Sequence, residues 1–475
     1  MPQIPFVGAA YQERSANLDC EACINLYPVM GESGTAKSVR ALYGTPGTRP
    51  LVAAAAGAVR GMHVPTTGTS AIVVVGDTVY RLSTAFALTS IGKIDDLTTP
   101  VSIDDNGLQA VIVTGPNGFV VQLSTNVVSQ ISDDAFYGSD TVDFLNTYAI
   151  FNKPGTNVFY ISGANEITFD ALDFATAESN YESIVNFTVN HDEIIFFKEN
   201  TTEIWRASGD ADFPFARDRN ASIEHGCAAR DSVARLDNTV FWLGKNEEGG
   251  GIVWRLNGYT PQRVSTDAIE FATASYATIS DAVAYSYQQE GHTFYVLTFP
   301  TGNATWVYDA ATQLWHQRAY LDPVTGKLGR HRSNSHIYFN GKHIVGDYKS
   351  GALRTLDLDY YYDGAGDALP AIRSCAHISD PDYTMVNHNR VQIDIEAGVG
   401  LNNGQGIEPV AMLDWSDDGG HEWSRQRVDG MGRIGNYKKR LRFNRLGQSR
   451  DRVYRLTISD PVKRVILGAT LNPKE

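Results

Sequence analysis

Between residues 71 and 356 the chain pairs two short apolar runs around a turn, and the unit recurs seven times. The first unit is Ala71-Ile72-Val73-Val74-Val75, then Gly76-Asp77, then Thr78-Val79-Tyr80-Arg81-Leu82. The others pair 111–113 with 119–123, 149–151 with 158–161, 194–197 with 203–206, 240–243 with 253–256, 294–297 with 306–308 and 343–345 with 353–356. The runs are too short for buried helices and rich in β-branched and aromatic residues, so they predict strands. Gly76-Asp77, Pro116-Asn117-Gly118, Lys153-Pro154-Gly155-Thr156-Asn157 and Thr301-Gly302-Asn303 are hairpin-turn chemistry. The second-run anchors Tyr80, Val121, Tyr160, Trp205, Trp254, Tyr308 and Arg354 stand 41, 39, 45, 49, 54 and 46 residues apart. A period of about 40–50 residues with paired strands is the signature of a β-propeller. Seven hairpins predict seven blades; a terminal hairpin spent on closure would leave six. A pair of β-sandwiches would also supply short strands, but the regular spacing favours the propeller.

The two ends break the pattern. Residues 1–55 hold short, proline-punctuated segments such as Ile24-Asn25-Leu26-Tyr27-Pro28 and Tyr43-Gly44-Thr45-Pro46-Gly47. They predict an extended arm lying along a surface rather than a core of its own. The propeller then occupies 56–358. The segment 359–367, Asp-Tyr-Tyr-Tyr-Asp-Gly-Ala-Gly-Asp, reads as a linker. Beyond it Val391-Gln392-Ile393-Asp394-Ile395-Glu396 alternates as a half-buried strand does, and 412–415, 440–446, 453–458 and 465–471 add further strands. Residues 368–475 therefore predict a β-sandwich-like domain, and the expected fold class is all-β.

The 475 residues exceed one ordinary core, which agrees with several domains. No apolar run reaches membrane-spanning length, so no membrane insertion is expected. The start Met1-Pro2-Gln3-Ile4-Pro5 lacks a basic stretch followed by an apolar one, which points to folding in a cytosol. Four cysteines make no disulfide framework, and Cys20-x-x-Cys23 has no second ligand pair for zinc. The net charge of −14 argues against a dedicated DNA-sequence reader. It suits a conduit, whose wall should not grip phosphates.

Residues 416–423, Ser-Asp-Asp-Gly-Gly-His-Glu-Trp, fit the Asp-box pattern Ser-x-Asp-x-Gly-x-x-Trp. That pattern, opened by Ser416, marks a tight hairpin turn, with Asp418 bonding backbone N–H groups, Gly420 at positive φ and Trp423 plugging the base. A basic tract follows: residues 425–464 carry thirteen Lys/Arg against three Asp. Lys438, Lys439, Arg440, Arg442, Arg445, Arg450, Arg452 and Arg455 stand in and between its strands. Such an imbalance exceeds a merely solvated face. Two uses remain, docking on the acidic surface of a neighbouring subunit, which suits the bidentate arginine fork, and contact with DNA phosphate.

Catalytic and metal signals are weak, and no catalytic residue, metal or cofactor is assigned. Asp357, Asp359, Asp363 and Asp367 match no calcium loop and read as a solvated linker. Glu224-His225-Gly226-Cys227 reads as a strand edge or turn, and His331 and His336 sit in a loop. Propeller sialidases carry several Asp-boxes, whereas this chain has one, placed after the propeller. A glycan-binding or glycan-degrading propeller is the alternative class, and it requires acids and arginines to converge at the propeller's centre.

Together these segments resemble the tail hub, or nozzle, proteins of short-tailed bacteriophages, also called packaged-DNA stabilization proteins. The resemblance runs in order along nearly the whole chain. It rests on Phe6-Val7-Gly8, Tyr11, Arg14-Ser15, Asn17, Cys20, Ile24 to Pro28 and Leu42 to Gly47 at the start. In the middle it rests on Glu224 to Ala228, Asp237 to Gly244, Trp306 to Asp309 and Trp315. At the end it rests on Trp415 to Gly420, Arg445 to Val453 and Ile458 to Pro461. The resemblance implies a structural virion protein and not an enzyme. It implies a homohexameric ring below the portal and its head–tail adaptor ring, built in the bacterial cytoplasm. Double-stranded DNA would pass through the lumen without sequence-specific contact, and fibre, spike or needle proteins would attach.

Overall fold

In the computed structural model, which describes residues 3–33, 35–54, 57–178, 180–210 and 212–473, each repeat hairpin becomes the middle of a four-stranded antiparallel sheet. Blade one is Val59–His63, Ser70–Val75, Thr78–Ser83 and Leu88–Lys93. Blade two runs from Ser102–Asp105 to Val127–Gln130, blade three from Val142–Leu145 to Phe174–Thr176, and blade four from Ile184–Asn190 to Phe215–Ile223. Blade five runs from Ala234–Leu236 to Thr260–Arg263 and blade six from Val283–Gln289 to Leu314–Gln317. Blade seven is Ser333–Phe339, Lys342–Asp347 and Ala352–Asp357, completed by Gly47–Ala53 from near the N-terminus. The described residues thus form seven blades, and an N-terminal strand closes the ring.

The middle strands are apolar on both sides because neighbouring blades cover both faces. Blade four shows it residue by residue. Ile194 and Phe196 pack towards blade three, with the Phe196 ring 4.4 Å from Phe159. Ile195 and Phe197 turn the other way, with Phe197 5.1 Å from Trp242 of blade five. Alternation along the strand sends successive side chains to opposite blades. Each fully buried ring contributes about 2–3 kcal/mol of transfer free energy.

The C-terminal domain is the expected sandwich. One sheet runs Leu441–Asn444, Arg390–Ile395, Val465–Leu471, Arg40–Gly44, Leu26–Met30, with Gln3–Ile4 also on Val465–Leu471. The other runs Cys23–Ile24, Ala371–Ser374, Asp451–Ile458, Val410–Ser416, Arg427–Gly430.

The N-terminal segment differs from the arm reading. Gln3–Ile4, Cys23–Ile24, Leu26–Met30 and Arg40–Gly44 complete the two sandwich sheets, Tyr11–Gln12 pairs with Cys20–Glu21 in a small sheet of its own, and Gly47–Ala53 is a blade strand. The 55/56 boundary falls on residues outside the described set. The physical reason is burial: Cys23, Leu26 and Leu42 lie in the sandwich core, and apolar residues this small in number gain most by completing an existing sheet. Asn25 fixes the crossover. It adopts φ 54°, its Nδ2 donates to the Ala319 and Pro370 carbonyls at 2.9 Å each, and its Oδ1 accepts from Ala319 N at 2.9 Å. Arg373, fully buried, donates to the Phe6 and Ala9 carbonyls and pairs with Glu21.

The linker reading is also corrected. Tyr362–Asp363 pairs with blade seven through Thr48, and Asp363 is fully buried against Thr48 and Arg354. Its Oδ1 accepts from the Thr48 hydroxyl and from Arg354, Thr48 Oγ1 accepts in turn from Gly364 N, and burial raises the carboxyl above its ordinary value. Propeller and sandwich are therefore joined twice, through Leu314–Gln317 beside Cys23–Ile24 and through Gly47–Ala53 beside Tyr362–Asp363.

Candidate functional site

Two places bring polar side chains together: the propeller axis and the Asp-box end of the sandwich. The innermost strands of all seven blades line an axial cavity of about 440 Å³. At one end of it each inner strand is tied to the next. His63 Nε2 lies 2.6 Å from Asp105 Oδ2, and Asp105 also accepts from Thr66 N. Phe144 N donates to Asp104 at 2.9 Å, Val189 N to Asp143 at 2.7 Å, and Arg235 to the Val189 carbonyl at 2.8 Å. Ser286 Oγ donates to the Arg235 carbonyl at 2.6 Å, and the His336 ring of blade seven stacks on Tyr285 of blade six, 5.8 Å between centroids. The belt runs from blade one to blade seven.

Within the belt Asp104 and Asp143 face each other. Burial first, then the charge and hydrogen bond of Asp143, push the Asp104 carboxyl up to about 8. Burial acts the same way on Asp105, but His63 and the Thr66 and Gly107 amides outweigh it and hold that carboxyl below its ordinary value. Among the described residues, His63, Asp104 and Asp105 are the grouping whose donor atoms lie within 4.8 Å of one another. The two arginines lining the cavity do different work. Arg60 donates to the Thr99, Gly76 and Asp95 carbonyls, while Arg235 stands 3.8 Å from Asp143. Acids do converge at the centre, then, but each of these three accepts backbone N–H groups, and one arginine rather than three stands by them.

The Asp-box closes the hairpin between Val410–Ser416 and Arg427–Gly430. Asp418 accepts from the Ser416 hydroxyl at 2.5 Å and from the His421 and Glu422 amides at 3.0 Å each. Those bonds, the Ser416 one first, hold its carboxyl below the ordinary range. Gly420 has φ 95° and donates to Ser416 Oγ at 2.8 Å. Half-buried Trp423 packs against the sandwich core.

The basic tract divides. Arg452 is buried and grips Asp417 with two nitrogens at 2.5 and 2.7 Å. Arg455 grips Asp414 at 3.0 and 2.7 Å, with its guanidinium 3.8 Å above the Trp423 ring. Arg452 is not available to a partner, which corrects its reading as a contact residue, while Arg455 keeps 30% of its side chain exposed beside its ion pair. Their carboxylates lie on the adjacent strand, and buried cations demand such forks. Lys439 pairs with Asp429 and Arg440 with Asp394. Lys438, Arg442, Arg445 and Arg450 are exposed and make no ion pair among the described residues.

The remaining motifs are structural. His225 stacks on Trp254 at 4.0 Å, and Cys227 is buried, its thiol pushed up to about 11 by burial. His331 and His336 are each brought down to about 3 by burial. All four cysteines are free thiols.

Residues 2–361 match the family described as Bacteriophage P22 Gp10, beta-propeller, and residues 373–473 match Bacteriophage P22 Gp10, beta-sandwich. No curated protein matches the chain. Similar solved structures include YCF48 from Cyanidioschyzon merolae, 15% identical with TM-score 0.44, covering 66% of this chain and 99% of that one. The N-terminal domain of Nup159 is 8% identical with TM-score 0.41, covering 71% and 98%. PorZ of Porphyromonas gingivalis is 14% identical with TM-score 0.37, covering 82% and 46%. Likenesses of this size carry no argument about function.

Proposed function

The chain belongs to the bacteriophage P22 Gp10 family and is a phage tail structural protein; on that premise we propose that it forms the tail hub, or nozzle. In this reading it builds a homohexameric ring below the portal and its head–tail adaptor ring. The ring extends the DNA channel, retains packaged DNA and anchors fibres, spikes or a needle. It assembles in the host cytoplasm before joining the virion.

The observation that carries this reading is the charge division between domains. Residues 425–464 hold thirteen Lys/Arg against three Asp in a chain of net charge −14. The bases left exposed by internal pairing, Lys438, Arg442, Arg445 and Arg450, stand ready for an acidic neighbour. A mostly acidic remainder lets DNA slide past without being held. The test is the mass of the full chain alone and mixed with its adaptor ring. A six-copy complex on the adaptor is expected; a monomer that never joins the adaptor contradicts the reading.

The glycan-acting alternative has one observation in its favour, the acids at the propeller axis. Their arrangement argues for wall rather than catalyst. A glycosidase leaves its two carboxyls free to meet the sugar oxygen and water, whereas Asp104 and Asp143 each accept a backbone N–H of the neighbouring blade. We infer a non-enzymatic role, and turnover of a host polysaccharide by the isolated chain would overturn it.

A further inference from the structure

A second exposed patch is acidic where the sandwich face is basic. Residues 161–184, which connect blade three to blade four, hold five Asp/Glu and no Lys or Arg. Large apolar side chains stand exposed among them: Leu172 is 81% exposed, Phe174 47% and Tyr181 97%. The neighbouring turn of blade four adds exposed Asp210 and Asp212. Asp170 and Asp173 stand close enough to interact, while Glu182 is held by Asn200 and Thr201. Burial first, and the nearby Asp170 charge second, raise the Asp173 carboxyl above its ordinary value. Phe174–Thr176 is moreover the outer strand of blade three, with one edge unpaired among the described residues.

The sandwich patch is the counterpart. Residues 425–442 hold seven Lys/Arg and one Asp, and Val428, Ile434 and Tyr437 are exposed among them at 60%, 56% and 75%. Apolar anchors rimmed by charge are the anatomy of a docking surface. The two patches cannot meet within one chain. The sandwich is fastened to blades six and seven, and in a seven-bladed ring blades three and four lie on the far side of the axis.

We propose that the acidic rim of blades three and four receives the basic sandwich face of a second copy of this chain, so that copies join head to tail. Two different patches on one chain make a heterologous contact, the type that generates rings. The proposal rests on the ring reading above and assigns its two faces. Opposite potentials on apolar anchors set both orientation and register.

The test uses full-length chain and measures self-association by sedimentation in low salt. Lys438→Glu with Arg442→Glu, and separately Asp170→Lys with Asp173→Lys, should each weaken association about tenfold or more. All four positions lie on the surface, and an unchanged unfolding midpoint checks each variant's fold; Asp170→Asn with Asp173→Asn is the milder acidic pair. An equimolar mixture of the two reversed variants should regain association, because each reversed face then meets a reversed partner. If wild-type chain associates but the acidic reversals have no effect, or the mixture stays dissociated, the assigned faces are wrong while the ring stands. If the basic reversals abolish binding to a DNA duplex and leave association unchanged, the sandwich face serves DNA and the proposal falls. If wild-type chain associates neither with itself nor on its adaptor, the ring reading falls with it.

Discussion

The sandwich and the propeller axis treat carboxylates in opposite ways. In the sandwich, Asp414 and Asp417 each meet an arginine fork, and charges of opposite sign are joined across adjacent strands. At the axis, Asp104 faces Asp143, and backbone amides of the next blade hold both, with Arg235 3.8 Å from Asp143 instead of in a fork. The difference teaches what each region is built for. Paired forks lock strands while leaving a surplus of bases outside; amide-held carboxylates stitch blades together and keep the axis acidic.

The contrast can be broken most forcefully at Arg373, the buried cation that binds the N-terminal segment to the sandwich. Arg373→Ala should destabilise the chain by about 3–5 kcal/mol in urea unfolding, because Glu21 and the Phe6, Ala9 and Ala22 carbonyls lose their partner. A loss below about 1 kcal/mol would mean the N-terminal strands are not part of the domain. Gly419 comes next. It has φ 73° and its missing Cβ would meet Asn17 of the N-terminal segment. Gly419→Ala should cost about 2 kcal/mol by the same measurement, and an unchanged midpoint would show that the turn is not strained against that segment.

At the axis the sign reverses. Asp104 holds its proton up to about 8 in the fold, against 3.8 ordinarily. Between those values the folded chain binds the extra proton, so this group's contribution is fully present below about 4 and is lost as pH rises through about 8. Asp104→Asn should therefore flatten the fall in melting temperature over that window and raise stability at pH 9. An unchanged pH slope would place the shared proton elsewhere. The smallest effect belongs to Lys438→Ala and Arg442→Ala. Both should leave the unfolding midpoint where it was, since exposed side chains away from caps and cores contribute little, and a clear drop would show they brace the sandwich.

The middle strands of every blade were legible because both of their faces are buried, so they stand out as apolar runs such as Ile194 to Phe197. The inner and outer strands were not, since one side faces the axis or solvent and their patterns mix with loops. The Asp-box was legible because its bonds link Ser416 to Glu422 within six residues. The pairing of Arg452 and Arg455 was hidden because their carboxylates lie 35 and 41 residues upstream. The axial belt was hidden for the same reason on a larger scale. His63, Asp104, Asp143 and Arg235 meet only when the ring closes, and closure depends on Gly47–Ala53, a strand more than three hundred residues from its partner Ala352–Asp357.

One measurement bears most directly on the account: an electron cryomicroscopy reconstruction of the tail of particles that carry this chain. The account predicts a ring of copies below the portal and adaptor, with blades three and four of each copy against the sandwich of the next. A reconstruction that places the chain away from the portal axis, or as isolated copies, would contradict it.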